Sequence, residues 1–290
     1  MTPTSFIEER RATYAGFGTR ELAVEGTGCT VVLVHGFGHS ADAWVPVLKL
    51  LSEAGQAAVA VDLPGFGSAD PLHKGELVPQ LDAFLAEVVD HYGASEPAVV
   101  VGNSLGAAVA ARAARNPDLP IGAVMPIDIA GVAWTSLASR GLVPLEASMR
   151  SLSRVRVLPR VHRAVLKWAL SRLLYGERSA VDPQVVDAIA DTIVDLGAAS
   201  RLFHQGARFK AELDQTRYHG GIRVPMTVVH GRHDLLVPSE ASHIVHRANP
   251  GSRLVVLAHA GHCPQLDAPR AIVHHARELA RIATETKEIS

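Results

Sequence analysis

Ala98-Val99-Val100-Val101-Gly102-Asn103-Ser104-Leu105-Gly106 is the stretch on which the fold of this chain turns. Ala98 to Val101 is a short apolar run with no polar face, as expected of a central strand, and a helix-forming run, Leu105 to Arg115, follows with no loop between them. The junction reads Gly-x-Ser-x-Gly, a sharp strand-to-helix turn. Its small residues, Gly102 and Gly106, leave room for a serine held in a strained backbone conformation that lifts Oγ clear of the chain. Ser104 is therefore a candidate nucleophile.

The same rhythm extends outward from this turn. On the N-terminal side, Cys29 to Val34 is apolar throughout and reads as a strand buried on both faces, with a turn at His35-Gly36-Phe37-Gly38. A helix is expected to begin near Ser40 and run from Ala41 to Glu53, closed by Ala54-Gly55, before a strand over Ala57 to Val61. From Glu76 to Tyr92 the apolar residues Leu77, Leu81, Phe84, Leu85, Val88 and Tyr92 recur at helical spacing, and Gly93 stands where a C-cap glycine belongs. On the C-terminal side a strand over Ala123 to Ile129 ends the alternation. Helices are then expected around Val161 to Leu174, Pro183 to Leu196 and Ala198 to Leu213, the second opened by Asp182-Pro183. Strand and helix return at Met226 to Val229, Glu240 to Arg247, Leu254 to Leu257 and Pro269 to Ala283. The fold class is thus α/β, a mostly parallel sheet with helices on both faces. The core falls in two parts, residues 1–133 and 222–290, around a helical insertion at 134–221 expected to act as a cap. Met1 to Ser5 and Thr284 to Ser290 read as frayed tails.

A serine hydroxyl is a weak nucleophile near neutral pH and needs a base with a third group to orient it. His230-Gly231-Arg232-His233-Asp234 follows one late strand, and Ala258-His259-Ala260-Gly261-His262-Cys263-Pro264 follows the next. The order Ser, Asp, His suits this type of turn and differs from that of the serine proteases. Asp234 and His262 are accordingly the candidate acid and base. Asp128, at the end of the strand before the insertion, is the alternative acid; Asp234 is preferred because its loop motif is intact and the order fits. Asp62 reads as a turn-holding residue, His35 and His230 as partners of nearby backbone, and His233 as a loop residue.

The segments Val31 to Gly38 (VVLVHGFG), Asp62 to Asp70 (DLPGFGSAD), Val101 to Gly106 (VGNSLG), His230 to Pro238 (HGRHDLLVP) and Gly261 to Pro269 (GHCPQLDAP) together resemble the α/β-hydrolase superfamily, on both sides of the insertion. The resemblance implies a cofactor-free serine hydrolase acting on a carboxylic ester or related acyl bond through an acyl-enzyme. It also implies an oxyanion hole at the backbone N–H of Phe37, or of Gly38 in its place, and of Leu105. The family's dehalogenases and soluble epoxide hydrolases carry Asp at the position of Ser104, which disfavours those activities here. Gly102-Asn103-Ser104 also resembles the elbow of the meta-cleavage-product hydrolases, which cut a carbon–carbon bond beside a ketone. This chain departs from them at Cys263, where they often have Trp, and at Ala107, where they have a second glycine. A ligand receptor, a lyase or a cofactor-free peroxidase on the same scaffold is the reading from a different class.

Composition limits the remaining choices. The 290 residues are 48% hydrophobic and 20% charged with formal net charge −1, a globular profile without the basic surface that nucleic acid requires. No apolar run reaches the roughly 18 residues of a membrane span, and no signal peptide is read at the N-terminus. With two cysteines, Cys29 and Cys263, the chain is expected to be soluble and cytoplasmic. Cys263 reads as a packed residue. No metal is expected: His243 and His246 lack a zinc-like pattern, and His274 and His275, being adjacent, are not expected to share a helical face. The expected partner is a small acyl substrate. The first half of the insertion, with Arg140, Arg150, Arg154, Arg156, Arg160, Arg163, Lys167, Arg172 and Arg178 against Glu146 and Glu177, reads first as a solvated basic surface and second as a site for an anionic substrate.

Overall fold

A computed structural model describes residues 7–139, 159–193, 195–215, 218 and 220–289. Arg140, Arg150, Arg154, Arg156, Glu146, the Met1–Ser5 tail and Ser290 lie outside the described residues, as does the side chain of Arg160. Eight strands form one sheet: β1 (Glu8–Tyr14), β2 (Phe17–Val24), β3 (Thr27–Val34), β4 (Gln56–Val61), β5 (Ala98–Asn103), β6 (Ile121–Ile127), β7 (Thr227–Gly231) and β8 (Arg253–Leu257). Their spatial order is β1-β2-β4-β3-β5-β6-β7-β8, with β1 and β2 antiparallel and the rest parallel from β4 onward. Val31 and Leu33 of β3 enter one apolar layer while Val32 and Val34 enter the other, which is why this strand carries no polar face.

The layers are closed by helices. α1 (Val45–Glu53) and the C-terminal helix cover one face, and α2 (Val78–Tyr92) and α3 (Leu105–Ala113) the other. Between β6 and β7 lie α4 (Pro159–Leu174), α5 (Pro183–Thr192) and α6 (Leu196–Gln215), followed after β7 by α7 (Ser239–Ala248), α8 (Pro264–Asp267) and α9 (Pro269–Ile289).

Several elements differ from their sequence-based expectation for identifiable reasons. Residues 41–44 form a 3-10 turn and α1 starts only at Val45, because Pro46 has no N–H to give to Asp42 C=O. Gly93 caps α2 with a right-handed φ of −93°; a Cβ there would lie 2.6 Å from Pro120 O, so close approach demands the glycine. The expected helix from Pro183 to Leu196 ends at Thr192, and Asp195 Oδ1 accepts the Ala198 N–H at 2.7 Å to start α6 anew. Asp182 caps α5 as its sequence implies, accepting from Gln184 N at 2.8 Å. α9 runs on through Thr284 to Ile289 instead of fraying, helped by the Arg281–Glu285 pair one turn apart.

Candidate active site

The parallel strands deliver their C-terminal ends to one edge of the sheet, and the candidate residues stand there: Ser104 after β5, Asp128 after β6, Asp234 after β7 and His262 after β8. Ser104 adopts φ 53° and ψ −110° at the N-terminus of α3, a left-handed value for a non-glycine residue. Two close approaches hold it. A Cβ on Gly102 would lie 2.3 Å from Gly106 O, and one on Gly106 would lie 2.3 Å from Val34 O. The glycines of the motif thus serve the packing of α3 against the strands.

Asp234 is fully buried at its side chain and satisfied on both oxygens. Oδ1 accepts the N–H groups of Leu236 and Val237 at 2.7 and 3.0 Å, while Oδ2 lies 2.7 Å from His262 Nδ1. Burial raises its pKa, but the His262 charge, the His262 hydrogen bond and the two backbone donors outweigh burial and hold it below the ordinary carboxylate value. His262 shows the complementary balance. Burial disfavours its charged form, yet Asp234 overcomes that and raises it above the ordinary histidine value.

The alternative acid makes no hydrogen bond to His262 among the described residues. Asp128, with φ 47°, accepts from Gly231 N at 3.0 Å through Oδ1, which also lies 2.8 Å from His230 Nδ1; its buried Oδ2 has no hydrogen-bond partner among the described residues. Burial first, and the Asp234 charge second, push its pKa well up from the ordinary carboxylate value, which favours the protonated form. His230 also lies 2.9 Å from Ser242 Oγ and is driven toward the neutral form by burial.

Around this edge the other residues are structural in their contacts. His35 Nε2 accepts from Leu63 N at 2.9 Å and Nδ1 meets Gly36 O at 2.7 Å. Asp62 binds Ala41 N, Ser68 N and Arg20 Nε at 2.7, 2.8 and 3.0 Å, tying three segments together. Burial pushes the Cys263 thiol up, away from the thiolate form a nucleophile needs. Two residues passed over by sequence reasoning lie here. Asn103 Nδ2 donates to His262 C=O at 2.9 Å and its Oδ1 accepts from Gln265 Nε2 at 3.1 Å, so the turn carrying Ser104 is bonded to the loop carrying His262. Their separation of 159 and 162 residues leaves no local signal.

Ser104, Leu105, Phe37 and His262 all line a cavity of about 210 Å³. The N–H groups of Phe37, Gly38 and Leu105 have no protein acceptor among the described residues. The Phe37 ring packs edge-on against Phe66 and Phe209, at 5.3 and 6.0 Å between centroids, and so also forms part of the wall. The remaining lining comes from Trp134, Leu173, Leu202, Phe203, Phe209 and their neighbours. Arg163 and Lys167 of α4 do not point a free charge at it. Both pair with Asp187 of α5, and Arg163 also with Asp191, acids that a reading of α4 alone did not supply.

Among the described residues two groups of side chains bring three donor atoms within 4.8 Å of one another: Asp128, His230 and Asp234, and, in the C-terminal helix, His274, His275 and Glu278. The second pairing departs from the expectation for adjacent histidines: their rings meet at 4.9 Å between centroids. Glu278 there is also paired with Arg253. No helix among the described residues is long and apolar enough to cross a membrane.

Residues 31–275 match the model of the alpha/beta hydrolase family. The chain is 32% identical over 255 residues to the dihydrolipoyllysine-residue acetyltransferase component of the acetoin cleaving system of Cupriavidus necator, covering 87% of this chain but spanning only 63% of that relative. It is 24% identical over 258 residues to the pimeloyl-[acyl-carrier protein] methyl ester esterase of Vibrio vulnificus, covering 88% and 96% of the two chains. Among solved structures, the 2-hydroxy-6-oxo-6-phenylhexa-2,4-dienoate hydrolase from Rhodococcus superposes with a TM-score of 0.77 at 22% identity, over 95% of this chain and 99% of that one. Sheet order, strand-end placement of the polar residues and a family match over most of its length agree: the chain belongs to the alpha/beta hydrolase family.

Proposed function

We propose that this chain is a serine hydrolase cleaving a carboxylic ester or related acyl bond. The observation that carries the reading is the 2.7 Å contact of His262 Nδ1 with a buried, ionised Asp234, with Nε2 of the same ring left for the cavity that Ser104 also lines. Asp234 fixes the Nδ1–H tautomer, so that Nε2 is the basic atom. Ser104 Oγ attacks the carbonyl carbon as His262 takes its proton; the C–O bond breaks, the leaving alkoxide recovers that proton, and an acyl-Ser104 remains. Water then attacks, its proton passing to His262 and on to Ser104 as the acid leaves. The oxyanion is held by Leu105 N–H together with that of Phe37 or Gly38, each donor worth about 3 kcal/mol of barrier.

Residues 134–221 act in this reading as the cap. Leu173, Leu202, Phe203, Phe209 and Leu213 supply apolar walls, which favours an apolar segment next to the scissile carbonyl. The substrate is a small molecule, and no cofactor enters any step.

The test is labelling by a fluorophosphonate probe, read by mass spectrometry, on wild type and Ser104→Ala, with turnover of acyl esters and of a dienoic ketoacid. Labelling at Ser104 and ester turnover lost in the variant are expected. Absence of labelling in folded protein sinks the activated serine and favours a receptor; turnover of the ketoacid alone makes the reaction carbon–carbon cleavage.

A further inference from the structure

The cavity at Ser104 is too small and too apolar to be the whole binding site. Its volume of about 210 Å³ lies below the roughly 300–1,000 Å³ of pockets that enclose an ordinary small-molecule ligand. Its charges are also occupied: Lys210 is paired with Asp214 and lies 5.2 Å over the Trp134 ring. His39 is neutral, pushed down to about 3 by burial and by His35 and His262.

A second cavity of about 730 Å³ adjoins it, and His39 and Leu202 line both. These two side chains form the boundary between an inner and an outer chamber, called the sill below. Beyond the sill, α6 presents Arg201, Gln205 and Arg208, spaced four and three residues apart and so on one helical face, toward the turn at Gly65 to Ser68. Neither Arg201 nor Arg208 has a carboxylate partner among the described residues; Arg208 donates to Gly75 C=O at 2.6 Å. Arg20, a third arginine of the lining, is already bonded to Asp42 and Asp62. The one carboxylate of the lining, Asp42, is held by that arginine and by Ser40. Among the described residues, therefore, neither guanidinium is ion-paired, although the Asp195 carboxylate lies near Arg201 on the same side of Gly197.

We infer that the outer chamber is a second substrate subsite, in which Arg201 and Arg208 receive an anionic end group while the acyl carbonyl reaches Ser104 across the His39–Leu202 sill. A guanidinium suits a carboxylate or phosphate through paired N–H donors. The inference rests on the serine-hydrolase reading and names its substrate class: an elongated ester with an apolar middle and an anionic terminus.

The probes are mono-p-nitrophenyl esters of dicarboxylic acids, from succinate to sebacate, each against the p-nitrophenyl alkanoate of equal length. In wild type, the ratio of kcat/KM between half-ester and alkanoate is expected to rise once the chain spans the sill. In the Arg201→Gln/Arg208→Gln variant that ratio falls roughly tenfold, and an Arg-to-Lys pair recovers part of it. Salt at about 1 M, where the Debye length is about 3 Å, also lowers it in wild type. Leu202→Trp, which fills the passage, penalises long half-esters more than short ones. A wild-type ratio flat with length, or unmoved by the double substitution in a variant with native thermal melting, overturns the subsite. If no ester is turned over at all, the failure belongs to the hydrolase reading; calorimetric titration of sebacate then decides the chamber alone. Binding that weakens in the double variant supports it, and no binding to wild type refutes it.

Discussion

His262 is buried, and burial alone would hold its ring neutral; Asp234 at 2.7 Å reverses the balance and lifts its pKa above 6.5. In the proposed mechanism the free enzyme needs the neutral ring as base, so kcat/KM is expected to climb with pH along a limb centred above 6.5. Asp234→Asn removes the opposing charge, so burial then dominates and the limb moves to lower pH, while kcat falls by roughly 10⁴ because the tautomer is no longer fixed. A pH–rate profile of both proteins measures this, and an unmoved limb would detach His262 from the rate. Asp128 gives the contrasting case. Burial and the neighbouring Asp234 push its pKa up, and it sits at a positive φ that asparagine tolerates, so Asp128→Asn is expected to keep kcat within about threefold of wild type. A loss as large as that of Asp234→Asn would instead make Asp128 the acid.

At the scale of elements, what could be read in the chain depended on how local each cause was. β3 and β5 were visible because strands buried on both faces are written as unbroken β-branched runs. The motif order likewise anticipated the strand ends that carry Ser104, Asp234 and His262. The β1–β2 hairpin was not anticipated, and its turn explains why. Ala15 and Gly16 have φ of 49° and 79°, the two positive values of a type I′ turn, but alanine stands where asparagine or aspartate would announce one. Ala15→Asn is therefore expected to stabilise the protein by about 0.5–1 kcal/mol, read as a higher urea midpoint at unchanged m-value. An unchanged or lower midpoint would show that the left-handed alanine carries no strain. The break at Ile193 was hidden for a similar reason, since Asp195 caps a helix that an apolar period runs straight into. Asn103 and Gln265 escaped notice because their roles exist only once distant loops meet.

At the scale of the whole molecule, a carboxylate of the insertion completes a helix of the core. The residue before α2, Leu77, gives that helix no side-chain cap, and the N–H groups of Leu77 and Val78 are bonded instead by Glu212 of α6, at 2.7 to 2.9 Å. A negative charge at a helix N-terminus is favourable as well as hydrogen-bonded. Glu212→Ala is expected to cost about 1–2 kcal/mol of global stability, measured by chemical denaturation. Loss of amide-exchange protection at the start of α2 would locate the effect, and an unaltered midpoint would remove it.

That contact also bears on modularity. A chain cut back to residues 1–133 and 222–290 would look, by strand count, like a complete scaffold ready to accept a foreign roof. It would lack the group that terminates α2, whose first N–H donors would face solvent unsatisfied by protein. Any transplanted roof must therefore bring an acid to the position of Glu212, or the recipient must acquire a capping residue at position 77, so the inserted segment is inherited together with part of the scaffold's own stability.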